Sequence, residues 1–150
     1  MNNQYIVIYE SDASAANVAA YIPAFKESII GDTIDEAREL CIDILNLQCD
    51  SYLRKGFPLP KETATIEYIE LEDMNYAVLY ENFPNGEKVA YIPSFRSNII
   101  GKDLETLRID VQQILLSEIN TLKRNGKQIP VERTIVGYLS NYNFLLPQAL

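Results

Sequence analysis

Hydrophobic and polar positions fall in short strand-like runs, then change to a helical period, and the whole order then recurs. Tyr5–Glu10 (YIVIYE) is rich in β-branched and aromatic residues and predicts a strand. Ser11–Asn17 is small and polar, a loop signal, and Val18–Pro23 predicts a second strand ending at proline. The two predict an antiparallel hairpin. Lys26–Ile30 predicts a short third strand closed by Gly31. Thr33 then opens a helix. Thr33-Ile34-Asp35-Glu36 fits a capping box, and Gly56, after Arg54 and Lys55, ends the helix. Pro58 and Pro60 block a restart, and Ala64–Leu71 predicts a fourth strand.

The same order then returns as strands at Tyr76–Glu81, Val89–Pro93 and Ser97–Ile100, a helix from Asp103 to Asn125, and a last strand at Thr134–Leu139. Tyr21–Pro60 aligns on Tyr91–Pro130 at an offset of 70 residues, with 13 of 40 positions identical. Such self-similarity marks a duplicated module. The expected fold class is α+β: two tandem βββαβ modules, residues 1–72 and 73–150, related by internal pseudo-symmetry. Each is small enough to be marginal in core size alone, so mutual packing is expected to complete the burial.

In the first helix Ile34, Ala37, Cys41, Ile44, Leu45 and Tyr52 recur in the second as Leu104, Leu107, Val111, Ile114, Leu115 and Leu122. This stripe is the expected sheet-facing side. Leu40, Ile42 and Leu47, with Ile109 and Leu116, lie partly off it. They are expected to pack between the copies, or else to form a patch for another chain. The apolar Phe144, Leu145 and Leu146 near the C-terminus are expected to dock on this chain or on a symmetry mate.

Composition narrows the chemistry. The hydrophobic fraction is 47% and the charged fraction 23%, a globular balance. No apolar run reaches the ~20 residues of a membrane helix, and the start has no signal-like core, so a cytoplasmic location without membrane contact is expected. Histidine is absent, which excludes Ser-His-Asp and Cys-His catalysis and His-built zinc sites. Cys41 and Cys49 share one predicted helix about 12 Å apart. A disulfide needs Cα atoms within about 7 Å, so they are expected to be unpaired and buried.

The net charge is −8, and residues 1–72 carry all of the excess negative charge. This points to a solvated acidic surface or to a basic partner, and it disfavours direct DNA binding. Glu10, Glu81 and Asp32 are the carboxylates closest to a metal-nuclease pattern. They make no convergent set, and Lys102 stands where the first copy has Asp32. No metal, no cofactor and no catalytic residue is expected. Tyr21, Phe25, Tyr91 and Phe95 recur in both copies, either for packing or to line a groove between the modules suited to a small ligand.

Gly31-Asp32-Thr33-Ile34-Asp35-Glu36-Ala37, following the proline-ended hairpin, resembles an element of the HicB family of antitoxins. The second copy keeps Gly101 and the helix pattern, and Ala24-Phe25-Lys26-Glu27 replaces the family's Leu-Pro-Gly-Cys. The resemblance covers almost the whole chain as two modules. It implies a partial ribonuclease-H-like fold without nuclease activity, and a small basic ribonuclease of the HicA type as partner. About ten residues follow the last predicted strand, too few for the family's C-terminal DNA-binding segment, so promoter binding by this chain is not expected.

The resulting expectation is a non-enzymatic protein that neutralises a basic partner through Asp35, Glu36, Glu39 and Asp43. The alternative is a protein that sequesters a small molecule such as a signalling nucleotide. Free sheet edges make a homo-oligomer the expected state.

Overall fold

Every predicted strand forms, with ends shifted by one or two residues. The computed structural model describes residues 4–12 and 15–140. The expectation for Phe144, Leu145 and Leu146 lies outside the described residues. In order the chain forms β1 (Gln4–Asp12), β2 (Asn17–Ile22), a 3₁₀ turn (Pro23–Phe25), β3 (Glu27–Gly31) and α1 (Ile34–Arg54). It continues with β4 (Thr65–Leu71), β5 (Met74–Asn82), β6 (Lys88–Ile92), a second 3₁₀ turn (Pro93–Phe95), β7 (Ser97–Gly101), α2 (Leu104–Arg124) and β8 (Ile135–Ser140). The fold is α+β, with two antiparallel four-stranded sheets, ordered β3-β2-β1-β8 and β4-β5-β6-β7.

The sequence repeat and the compact unit do not coincide. One unit draws on Met1–Thr63 and Thr134–Leu150, and the other is Ala64–Arg133. The boundary expected at 72/73 cuts a hairpin. Leu71 pairs with Met74, leaving Glu72 and Asp73 as a two-residue loop with φ of 53° and 64°. Two left-handed residues in succession are what a type I′ turn requires, and such a turn matches the twist of the flanking strands. β4 is therefore built onto β5. The place beside β1 is taken instead by β8, which pairs from Gln4↔Ser140 to Tyr9↔Ile135. The fourth strand of each repeat thus completes the sheet of the other.

The segment after each helix explains how the chain leaves its own sheet. The Tyr5 hydroxyl donates to the Pro60 carbonyl at 2.8 Å, and Glu62 Oε1 accepts from the Ile6 amide at 2.7 Å. In the other unit Tyr76 donates to the Pro130 carbonyl at 2.7 Å, and Glu132 Oε2 accepts from the Ala77 amide at 2.7 Å. These carboxylates satisfy strand amides beyond the end of the neighbouring ladder, where an unpaired N–H is costly.

Each helix lies on its sheet along a single row. The buried positions are Ala37, Cys41, Leu45 and Cys49 on α1, and Leu107, Val111, Leu115 and Ile119 on α2. They sit four residues apart and face Val7, Tyr9, Ala20 and Ile22, or Val78, Tyr80, Ala90 and Ile92. The expected stripe is corrected at two places. Ile114 is exposed and Ile44 only half-buried, while Cys49 and Ile119 occupy the core. Of the off-stripe residues, Ile42 packs against the core, whereas Leu47, Ile109 and Leu116 are exposed. Both cysteines are free and buried, and burial pushes their thiols up to about 11. Val111 and Ile119 stand at the matching buried positions of α2, so both sites take apolar groups.

The helix starts are held differently. Thr33 Oγ1 accepts from the Glu36 amide at 3.1 Å, but the Glu36 carboxylate does not reach back, so half of the capping box forms. On α2, Asp103 accepts from the Thr106 hydroxyl at 2.9 Å and from the Glu105 and Thr106 amides. The hydrogen bond from the Thr106 hydroxyl, then that from the Glu105 amide, holds the Asp103 carboxyl below its ordinary value. The cap is complete above the ordinary Asp range and is lost as pH falls through the lowered native value. A carboxyl NMR titration of Asp103 will give a midpoint below that of a free Asp side chain; a midpoint at or above it would contradict this cap.

Candidate functional site

The four acidic residues on α1 arise from a simple spacing. Glu36, Glu39 and Asp43 recur at i, i+3 and i+7, which places them on one face, and Asp35 adjoins them in the first turn. The buried row fixes that face outward, and all four are exposed. Among the described residues, none of the four carboxylates has an ion-pair or hydrogen-bond partner. Leu47 extends the same face and is 66% exposed. The structure therefore brings the four candidate contacts together.

The matching face of α2 differs in kind. Thr106, Ile109 and Gln113 stand at the positions of Glu36, Glu39 and Asp43, and Ile109 is 55% exposed. The charge asymmetry is nevertheless smaller between compact units than between sequence halves. The first unit has 5 basic and 10 acidic side chains, and the second has 8 and 11, because β4 carries its carboxylates into the second unit. Counted over residues 1–72 the excess lies wholly in the first repeat; counted over the compact units it is shared. What survives is the contrast between the two helices.

In the second unit two carboxylates are paired with cations of α2. Arg108 on α2 grips Glu67 of β4 with its guanidinium, and Lys123 Nζ lies 2.6 Å from Glu72 Oε1. In the first unit Gly137 of β8 stands at the sequence position matching Glu67. These pairs hold β4 and the hairpin turn to α2; exposed pairs of this kind contribute little individually.

The recurring aromatic residues take different places within a unit. Within each unit, Phe25 and Phe95 lie on the helix side, edge-on to Tyr5 and Tyr76 with ring centroids 5.0 Å apart. Tyr21 and Tyr91 are half-buried and alternate to the opposite strand face from Ala20 and Ala90. Beyond Phe25 the two units diverge. Tyr52 of α1 closes on Phe25 with centroids 6.0 Å apart, whereas Leu122 occupies that position on α2. Beside Phe95 this leaves a cleft of about 460 Å³ lined by the second 3₁₀ turn, the last turns of α2 and Pro130. The sequence signal for it was the substitution of Tyr52 by Leu122 between repeats.

Among the described residues, no group of three or more His, Cys, Asp or Glu side chains could hold a metal ion. No helix among them is long and apolar enough to cross a membrane. No family model, curated protein or solved structure matches the chain.

Proposed function

We propose that this chain is a binding protein without catalytic activity that neutralises a basic protein partner, docking it on the acidic face of α1. The observation that carries this reading is the set of unpaired, exposed carboxylates on Asp35, Glu36, Glu39 and Asp43, a set that α2 lacks. A row of like charges costs the isolated helix stability through self-repulsion, and a cationic surface would relieve it. The exposed Leu47 at the end of the row offers an apolar contact beside the charges.

The resemblance of Gly31-Asp32-Thr33-Ile34-Asp35-Glu36-Ala37 to the HicB element supports a small basic ribonuclease of the HicA type as that partner, and a pair of HicB-like modules as the fold. On this reading the chain acts in the cytoplasm as a homo-oligomer and needs neither cofactor nor metal. Direct contact with DNA is not part of the reading.

Charge reversal tests the face. In a chain carrying Glu39→Lys and Asp43→Lys, affinity for the basic partner will fall at least about tenfold in low salt. The difference will shrink as added salt screens the interface. Unchanged affinity in low salt would exclude this face as the interface.

A second reading rests on a separate observation, the cleft beside Phe95. A protein that sequesters a small molecule needs a concave, largely apolar wall with a few polar groups beside it. The second unit supplies such a wall at Phe95, Leu122 and Pro130.

A further inference from the structure

The outer row of α2 has a composition that α1 does not share. Ile109, Gln113, Leu116 and Asn120 recur at three- and four-residue spacing on the side away from the buried row of that helix. Ile109 is 55% and Leu116 46% exposed. The matching row of α1 reads Glu39, Asp43, Asn46 and Asp50. A hollow of about 650 Å³ lies along the row on α2, between Gln113, Leu116, Ser117 and Asn120, with Lys123 and Arg124 at its end. Four residues at i, i+3, i+4 and i+7 form the hole that receives one side chain of a facing helix.

The two ends of α2 carry opposite charge. Its first turn has Glu105 after the Asp103 cap, and its last turn has Lys123 and Arg124. Lys123 is held by Glu72. Arg124 is exposed and has no carboxylate partner among the described residues; its guanidinium donates to Thr121 Oγ1 of the same helix at 3.2 Å. An antiparallel helix of the same sequence therefore meets charge with opposite charge at both ends, and an apolar side chain with a hole in the middle.

We infer that this face of α2 is an interface with a second copy of the chain, the two α2 helices packing antiparallel about a two-fold axis midway between Ile109 and Leu116. Ile109 of each copy enters the hole of the other. Arg124 then comes within about 6 Å, along the helix axis, of both Asp103 and Glu105 of the second copy, a span its side chain covers. The same operation on α1 presses Glu39 against Asp43 and Asp50, three like charges. Pairing α1 with α2 places Ile109 over Asp43 and Asp50, removing water from carboxylates that gain no cation. Of the two helices, α2 is thus the self-complementary one. The assignment does not depend on what the acidic face of α1 binds.

The test is sedimentation equilibrium of the full chain from about 1 to 500 µM. The wild type will dimerise reversibly. Ile109→Glu will weaken the dimer at least about tenfold. Thermal unfolding of that variant will stay cooperative, because the side chain it replaces is exposed. Glu105→Arg alone will weaken the dimer about threefold, and adding Arg124→Glu will recover most of the loss. Glu39→Lys with Asp43→Lys will leave dimerisation unchanged, which separates this face from the acidic one. A chain that stays monomeric throughout, a dimer indifferent to Ile109→Glu, or a dimer lost with Glu39→Lys and Asp43→Lys would each overturn the assignment. So would a loss from Glu105→Arg that Arg124→Glu does not recover, since antiparallel packing is what brings those two ends together.

Discussion

Gly31→Ala will destabilise the protein by about 2–3 kcal/mol, whereas Gly101→Ala, its counterpart, will be neutral or mildly stabilising. A Cβ on Gly31 would stand 2.7 Å from the Ala37 nitrogen and 3.0 Å from its Cα. Both atoms belong to helix backbone, so relief requires the start of α1 to move off β3. A Cβ on Gly101 would meet only the Leu107 side chain, at 3.4 Å from Cδ1, an ordinary contact distance that requires no movement. Neither glycine has a positive φ, so the contrast isolates the close approach. Equilibrium denaturation of the two variants measures it. Equal effects would mean that the approach of β3 to α1 is not as tight as described. Because the displaced turn carries Asp35 and Glu36, the variant also tests whether the acidic face needs its present mount.

The second large effect concerns which piece of the chain can fold. Residues 64–133 contain β4, β5, β6, β7 and α2, and hence a whole sheet with its helix. Residues 73–150 follow the sequence repeat but lack β4. They lose the ladder from Thr65↔Tyr80 to Leu71↔Met74, together with Glu67 for Arg108 and Glu72 for Lys123. β5 would then expose a full edge, with Tyr76 to Tyr80 buried in the intact chain. The fragment 64–133 will unfold cooperatively on heating, followed by circular dichroism. The fragment 73–150, although longer, will show a weaker and broader transition. Greater stability of 73–150 would mean that β4 does not belong with β5.

The positions of the elements were legible because each depends on local patterning. The change from period two to a helical period and the caps at Thr33 and Asp103 were legible in the residues themselves. So were the glycines after each helix, where Phe57 and Lys127 amides donate to the Tyr52 and Leu122 carbonyls at 2.9 Å. Strand pairing was less legible. The turn at Glu72-Asp73 takes two left-handed residues without the Asn-Gly pair that usually signals them, so the residues themselves do not mark it as a hairpin. The carboxylates Glu62 and Glu132 were equally hidden, since their role depends on where a neighbouring ladder stops.

The helix face was legible only approximately. An i, i+3, i+7 pattern admits Ile44 and Ile114, but a helix resting on one row of its sheet selects every fourth residue, and so reaches Cys49 and Ile119. The acidic face followed directly from the spacing of Glu36, Glu39 and Asp43. The cleft did not, because the recurring Phe25 and Phe95 drew attention to what the repeats share. What opens the cleft is what they do not share, at Tyr52 and Leu122 and at Ala24 and Ser94.

The claim that the acidic face of α1 holds a basic protein is tested most directly by native mass spectrometry of the full chain isolated from its own cells. The wild-type chain should be compared with one carrying Glu39→Lys and Asp43→Lys. The account predicts a complex with a small basic polypeptide for the wild type, present in low salt and absent from the reversed chain. The same polypeptide bound equally by both chains would contradict it. So would a wild-type chain that carries only a small molecule.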